Sequence, residues 1–95
     1  MNSYHKTINE EDIRKIILDL LDKDVAINID TQLNEIGIDS LKYVELVIKL
    51  EEHYDIEITD NDLHIGNFIN IYKIIQLLDQ YLIKDKGGVG IENKI

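Results

Sequence analysis

The chain has 95 residues, no cysteine and a formal net charge of −9 at pH 7. A chain of this length forms one domain with a modest core, and the lack of cysteine excludes disulfides, thiolate metal sites and a cysteine nucleophile. The negative charge argues against binding to nucleic acid or anionic membranes and favours basic partner surfaces. The sequence has neither an apolar run of membrane-spanning length nor a signal-peptide core, so we expect a cytoplasmic protein.

The first predicted helix follows a polar N-terminal segment, residues 1–8, which we expect to be flexible. Asn9 precedes an acidic first turn over residues 10–12, and acidic side chains suit the positive end of a helix. Apolar residues then recur at helical spacing and give one core face: Ile13, Ile16, Ile17, Leu20 and Leu21. We expect this helix to end near residues 22–24.

The segment after the first helix alternates apolar and polar residues, with Val25, Ile27 and Ile29 as its apolar members. Taken alone, this pattern predicts a strand. A single strand has no pairing partner in this chain, so we interpret the segment as an extended loop that places these three side chains on the core. A short turn then directs Leu33 and Ile36 inward.

A second helix is predicted from about Ser40 to His53, after a turn in which Gly37 allows a positive φ. Ser40 lies at or next to the N-cap, a position that a hydroxyl favours because it accepts a hydrogen bond from a free backbone N–H. A phosphate ester on this oxygen would be stabilised by the helix dipole and the free amides. The other serine, Ser3, lies near the N-terminus.

The second helix has two apolar stripes and one polar stripe. The stripe expected to face the core contains Tyr43, Leu46, Val47 and Leu50. The stripe on the adjoining face contains Leu41, Val44 and Ile48. The polar stripe contains Lys42, Glu45, Lys49 and Glu52. Two apolar stripes fit a deeply buried helix about as well as they fit a core face beside a partial docking surface.

A short third helix is predicted after the second. Thr59 and Asp62 have the spacing of a capping box, the helix contains Leu63 and Ile65, and Gly66 ends it.

The last helix is predicted to start after an Asn70 N-cap, once the loop 67–69 has closed the core. Its apolar residues keep a 3.6-residue period: Ile71, Ile74, Ile75, Leu78, Tyr81 and Leu82. Residues 85–95 contain spaced glycines without periodicity, which predicts a disordered tail after a folded domain over 9–84. The sequence therefore predicts an all-α fold, a small bundle of three longer helices and one short helix.

Other kinds of site have little support. His5, His53 and His64 have no metal-ligand spacing, so we expect no metal site. The glycine-rich stretch 87–90 is not followed by a predicted helix, as a dinucleotide-binding loop would be. A serine hydrolase needs a base beside its nucleophile, and no histidine lies near Ser40 in the sequence.

The tripeptide Asp39-Ser40-Leu41, preceded by Leu-Asn-Glu-Ile-Gly at 33–37 and followed by Val-Glu-Leu-Val at 44–47, resembles the acyl carrier protein family. The resemblance extends from about residue 13 to residue 82. It implies that Ser40 carries 4′-phosphopantetheine, whose terminal thiol holds an acyl or aminoacyl group as a thioester. It also implies that the protein is not an enzyme, and that Asp39 contributes to recognition by the transferase that attaches the group.

The resemblance implies three kinds of partner: a phosphopantetheinyl transferase, an enzyme that loads the acyl or aminoacyl group, and a downstream synthase or transferase. The residues expected to meet them are Leu41, Val44, Glu45, Ile48 and Glu52. Glu51 matches a further acidic position of the family. For any one of these glutamates, a solvated helix face is at least as good an interpretation. We expect the protein to be a monomer.

Departures from the family pattern bear on the cargo. Lys42 and Tyr43 replace the Asp-Thr pair of fatty-acid carriers, and Lys49 adds another positive charge. These changes favour a specialised acyl, polyketide or nonribosomal pathway, and residues 62–70 are similar to free-standing carriers of such pathways. The motif at 37–40 is nearer to acyl than to peptidyl carriers. The alternatives are a carrier of ordinary fatty-acid synthesis and, from another class, a helical interaction module whose serine is unmodified.

Overall fold

Three α-helices make up most of the described chain, which comprises residues 8–91 of a computed structural model, with side chains described for 8–82. They are α1 (Glu10–Leu21), α2 (Ser40–Tyr54) and α3 (Ile71–Ile91). Short 3-10 helices lie in the connections, at Leu33–Ile36, Asp60–Asp62 and Ile65–Phe68. The described residues contain no strand, which confirms the predicted all-α class for this part of the chain.

The predicted bounds of α1 are confirmed by its two caps. The Asn9 side chain accepts a hydrogen bond from the backbone N–H of Glu11 at 2.7 Å, which satisfies one of the free amides of the first turn. At the other end Asp22 adopts a left-handed conformation with φ 55°, and its N–H donates to the Leu18 carbonyl at 2.9 Å. This geometry ends the helix after Leu21, with its C-cap at the first residue of the predicted range.

The hydrophobic core forms where α1 packs against both α2 and α3. Its buried side chains come from all three helices and from the connections between them: Ile13, Ile17, Ile27, Leu33, Ile38, Leu46, Val47, Leu50, Tyr54, Ile58, Phe68, Ile71, Ile74, Leu77 and Leu78. The core faces predicted for α1 and α3 from helical periodicity supply many of these residues, because one apolar stripe per helix has to be covered by a neighbour.

The loop after α1 is extended, as predicted, but it does not bury all three of its apolar residues. Ile27 is buried and Val25 is half-buried, whereas Ile29 is 39% exposed. The prediction for Ile29 is therefore wrong. The reason is a turn, closed by a hydrogen bond from the Thr31 N–H to the Asn28 carbonyl at 3.1 Å, which interrupts the extended backbone at Ile29.

The predicted short third helix is absent, and two 3-10 helices stand in its place. The Thr59 side chain caps no backbone N–H. Instead, the Thr59 N–H donates to the Tyr81 hydroxyl at 2.8 Å, and that hydroxyl donates to the Asp62 carboxylate at 2.6 Å. These groups are thus held by α3 rather than by a capping box, and Gly66 lies within the second 3-10 helix instead of ending a helix.

The ends of the chain differ in part from the predicted bounds. Residues 1–7 of the predicted flexible segment lie outside the described residues, while Ile8 is half-buried against the core. The backbone of α3 continues through part of the predicted tail as far as Ile91, and residues 92–95 lie outside the described part. Glycine disfavours a helix by only about 1 kcal/mol and keeps its N–H, so it does not stop one as proline does. No helix of the described residues is long and apolar enough to cross a membrane.

Candidate functional site

The start of α2 is positioned by a tight turn at Gly37. This residue has φ 119°, as predicted, and a Cβ added to it would lie 3.0 Å from Cδ2 of Leu21. The Ile38 N–H donates to the Leu33 carbonyl at 3.0 Å, so the loop is held across the preceding 3-10 helix. Because side chains rarely adopt this φ and α1 leaves little room, glycine suits this position. The chain then enters α2 at Ser40.

The N-cap of α2 is Asp39, whose Oδ1 accepts a hydrogen bond from the Lys42 N–H at 2.9 Å. Ser40 is the first helical residue. The sequence predicted it at or next to the N-cap, and it lies next to it. Its hydroxyl is exposed and makes no hydrogen bond within the described part of the chain. Asp39 therefore caps the helix, and the Ser40 oxygen stays available to a partner.

The second apolar stripe of α2 lies in solvent. Leu41 is 68% exposed, Val44 50% and Ile48 47%, while Leu46 and Leu50 on the core face are fully buried. Of the two interpretations that the sequence left open, the deeply buried helix is therefore wrong. Three large apolar side chains on one helix face, beginning next to Ser40, form a contiguous strip, which we call the α2 apolar strip.

Charged residues border the α2 apolar strip. Three of them are exposed: Glu45, Lys49 and Glu52. Lys42 is half-buried. Glu51 has an internal role, because its Oε2 accepts a hydrogen bond from the Ile58 N–H at 2.8 Å and so ties α2 to the segment that follows it. The acidic surface beside the strip thus consists of Glu45 and Glu52 rather than of all three predicted glutamates.

A cavity of about 200 Å³ lies beside the start of α2. It is lined by Gln32, Leu33, Asn34, Ile38, Tyr43, Ile65, Phe68 and Ile69. The rings of Tyr43 and Phe68 meet edge to face, with centroids 5.4 Å apart. Residues three apart on a helix are neighbours, with Cβ atoms about 5–6 Å apart, so the cavity wall begins one turn from Ser40.

The hydroxyl of Tyr43 is shielded from solvent and has no hydrogen-bond partner among the described residues. Burial raises the pKa of Tyr43 above its ordinary value. The sequence placed Tyr43 in the core stripe, and the half-buried side chain does pack against the core, where it also lines the cavity. Sequence reasoning missed this cavity, and its one available signal was a tyrosine where the carriers that the chain resembles have threonine.

The two described histidines lie away from Ser40. Nε2 of His53 is 3.7 Å from a carboxylate oxygen of Asp12 on α1, and His64 contacts the Asn67 amide at 3.3 Å. Neither makes a hydrogen bond to the serine, so neither is placed to act as the histidine base of a serine hydrolase. No group of three or more potential metal ligands occurs among the described side chains.

Comparison with known proteins identifies the family. A family model described as a phosphopantetheine attachment site matches residues 11–78, which contain α1 except its first residue, all of α2 and the beginning of α3. The acyl carrier protein of Campylobacter lari is 41% identical over 54 residues, or 55% of this chain and 70% of that protein. An acyl carrier protein homolog of Mycoplasmopsis pulmonis is 47% identical over 51 residues, or 54% and 67%. The acyl carrier protein of Campylobacter concisus is 31% identical over 72 residues, or 74% and 91%.

The start of α2 fits a covalently attached phosphopantetheine. Ser40 has an exposed, unbonded hydroxyl, and the first-turn N–H groups of Ser40 and Leu41 have no partner within the helix. These amides and the positive end of the helix dipole favour a phosphate at this corner. The family match, the similar carriers and this geometry agree. The chain belongs to the acyl carrier protein family, and it is a non-enzymatic carrier with an attachment domain for covalent 4′-phosphopantetheine.

Proposed function

We propose that Ser40 is the residue that carries 4′-phosphopantetheine. The observation that carries this proposal is the free, exposed hydroxyl at the first position of α2, within the matched residues 11–78 and beside the α2 apolar strip. The hydroxyl is not used to cap the helix, because Asp39 does this. An oxygen without an internal partner is free to enter a transferase active site without loss of a stabilising contact.

When bound, the group supplies the thiol that this cysteine-free chain lacks, and that thiol holds an acyl group as a thioester. Ser40 contributes the oxygen that forms a bond to the phosphorus nearer the pantetheine of coenzyme A, while the P–O bond to the nucleotide part breaks. The hydroxyl proton passes to a base of the transferase, because no histidine of the described chain lies at Ser40. The first-turn amides of α2 would donate hydrogen bonds to the phosphate of the attached group.

The surface for partner enzymes lies along α2, according to this proposal. The α2 apolar strip, Leu41, Val44 and Ile48, supplies contact area, and Glu45 and Glu52 supply negative charge beside it. Exposed apolar residues that form a contiguous patch mark interaction sites more often than scattered ones do. The complementary partner surface is apolar with basic residues around it. We propose that the transferase, the loading enzyme and the downstream synthase or transferase use this one surface in turn.

The pathway is proposed to be a specialised acyl or polyketide pathway, or a nonribosomal one, rather than general fatty-acid synthesis. Lys49 is exposed and Lys42 half-buried, and both dilute the negative charge of Glu45 and Glu52 on the same helix. A partner surface with acidic residues opposite these lysines complements such a helix better than a uniformly basic partner surface does. The rival proposal is a carrier of general fatty-acid synthesis, and the name acyl carrier protein that the relatives bear fits either role.

Intact mass spectrometry tests the attachment site. Purified chain is incubated with a broad-specificity phosphopantetheinyl transferase and coenzyme A, and we expect a gain of one phosphopantetheine group. The Ser40→Ala variant should gain nothing. The matched control is Ser3→Ala, which removes the only other serine and should load like the wild type. Loading of the Ser40→Ala variant would overturn the assignment.

A further inference from the structure

We infer that Lys23 is a binding residue for the phosphate of the attached group: its ammonium pairs with the negatively charged phosphodiester of phosphopantetheine on Ser40. The inference rests on the proposed attachment at Ser40. It adds to that site a residue from outside α2, in the loop that follows α1.

The ammonium group of Lys23 lies at the turn that leads into α2. Its Nζ is 3.8 Å from the position that a Cβ at Gly37 would occupy. The turn is compact, because the Asp39 N–H donates to the Gly37 carbonyl at 3.1 Å, and Ser40 follows directly. Three residues span at most about 11 Å even when fully extended. The Lys23 ammonium and Ser40 therefore share one corner of the molecule, and the flexible lysine stem can cover the remaining distance.

No carboxylate of the described residues forms an ion pair with Lys23. Asp22 and Asp24 flank it in the sequence, yet the basic side chains of the ion pairs in this part of the chain are Arg14 and His53. The backbone before Lys23 is held by the left-handed C-cap that ends α1 at Asp22. An exposed ammonium without an ion-pair partner, on an anchored backbone, is available to an anion.

Attachment at Ser40 would bring an extra negative charge to this corner. The phosphodiester lies on the residue next to the exposed Asp39, and like charges that close repel each other even in water. The first-turn amides offer hydrogen bonds but no full positive charge. Lys42 is closest to Ser40 in the sequence, but residues two apart on a helix do not face each other. Lys23 is therefore the lysine best placed to offset the added charge.

The reactivity of individual lysines tests this pairing. Unloaded wild type and loaded wild type with its thiol blocked are acetylated with a limiting amount of an N-hydroxysuccinimide ester, and peptide mass spectrometry gives the extent at each lysine. Only the free amine reacts, and a neighbouring phosphate favours the charged ammonium. We expect loading to lower the reaction at Lys23 about two- to fivefold, the free energy of an exposed ion pair expressed as a ratio, and high salt to shrink this effect.

Two other lysines of the same molecule complete the comparison. Lys15, exposed on α1, should react equally in the loaded and unloaded forms. Unchanged reactivity of Lys23, or protection of Lys42 in its place, would overturn the inference and leave the attachment at Ser40 intact. A wild-type chain that does not load at all would overturn the proposed function and this inference with it.

Substitution separates a phosphate contact from a structural role. Lys23→Gln should leave urea unfolding of the unloaded chain unchanged, because the side chain forms no ion pair with the described residues. In the loaded chain it should raise the equilibrium constant for unfolding about two- to fivefold relative to loaded wild type. Lys15→Gln is the matched control and should change neither form. An equal effect of Lys23→Gln on both forms would indicate a structural role and contradict the inference.

Discussion

Oδ1 of Asp39 accepts a hydrogen bond from the Lys42 N–H at 2.9 Å, and through this contact the residue before Ser40 caps α2. Ser40 itself begins the helix with its hydroxyl exposed and unbonded to the described residues. Asp39 therefore stabilises the helix start, and the adjacent Ser40 is the residue at which we propose attachment. Because Ser40 does not take part in the Asp39–Lys42 hydrogen bond, the proposed attachment does not require this bond to break.

Substitutions at the start of α2 should separate these two roles. Asp39→Ala removes the cap and should lower the free energy of unfolding by about 1 kcal/mol. Ser40→Ala should lower it by less than about 0.5 kcal/mol, because an exposed serine without a hydrogen bond contributes little. Urea denaturation followed by circular dichroism measures both. Asp39→Asn is the control, since asparagine caps as well as aspartate does, and a larger loss in Ser40→Ala than in Asp39→Ala would contradict the assignment.

Charges introduced on the two faces of α2 should have opposite effects. Val44→Asp and Ile48→Asp are expected to weaken binding to the transferase with little change in melting temperature, because both side chains are about half exposed. Leu46→Asp should unfold the protein, because it places an unpaired charge in the core. Calorimetric titration and thermal melts give the two quantities. If all three variants lost stability equally, this result would contradict the proposal that the α2 apolar strip is a partner surface.

The lysines of α2 should discriminate between partner enzymes. Replacement of Lys42 and Lys49 by Glu is expected to raise the rate at which fatty-acid enzymes accept the loaded carrier and to slow its own pathway enzyme, since charge steers encounter. Both effects should shrink at high salt, because exposed charges are screened over about 10 Å at 0.1 M. Acyl transfer to each enzyme class at low and high salt is the measurement.

The control for the lysine variant is Lys15→Glu, which makes the same kind of charge change at an exposed position of α1. It should alter neither rate. Efficient use of the wild type by fatty-acid enzymes, unchanged by the double substitution, would favour the fatty-acid role over a specialised pathway.

Alkaline pH should weaken the fold through two tyrosines. Burial is the main cause that raises the pKa of Tyr43 and of Tyr54 above their ordinary value. As the pH rises, the unfolded chain therefore loses these phenol protons before the folded chain does. The contribution of the two protonated phenols to the free energy of unfolding is complete below about pH 10 and is lost as the pH rises through their folded pKa values. Urea midpoints at about pH 8 and 11 should differ less in Tyr43→Phe/Tyr54→Phe than in the wild type.

Tyr72→Phe is the control for the alkaline experiment, because Tyr72 is 50% exposed, and it should keep the wild-type difference between the two midpoints. An equally large loss of stability at high pH in the Tyr43/Tyr54 double variant would show that burial of these two phenols is not its cause.

The sequence by itself determined the all-α class, the start of each α-helix, the ends of α1 and α2, and the position of Ser40. These features follow from local signals. Asn9 and Asn70 are followed by helices that their side chains cap, and the 3.6-residue period marks which face of each helix meets the core. The resemblance to acyl carriers also needed only the residues around Ser40, and the family match confirms it.

Only the tertiary structure decided the rest, because it depends on residues far apart in the chain. Thr59 and Asp62 have the spacing of a capping box, but the Tyr81 hydroxyl on α3 bonds to both of them, and 3-10 helices form there instead of an α-helix. The cavity beside Ser40 arises where Tyr43 on α2 meets Phe68 from the segment before α3. Periodicity reports which side of a helix is apolar, and it carries no information about which distant side chain packs there or whether the packing leaves a gap.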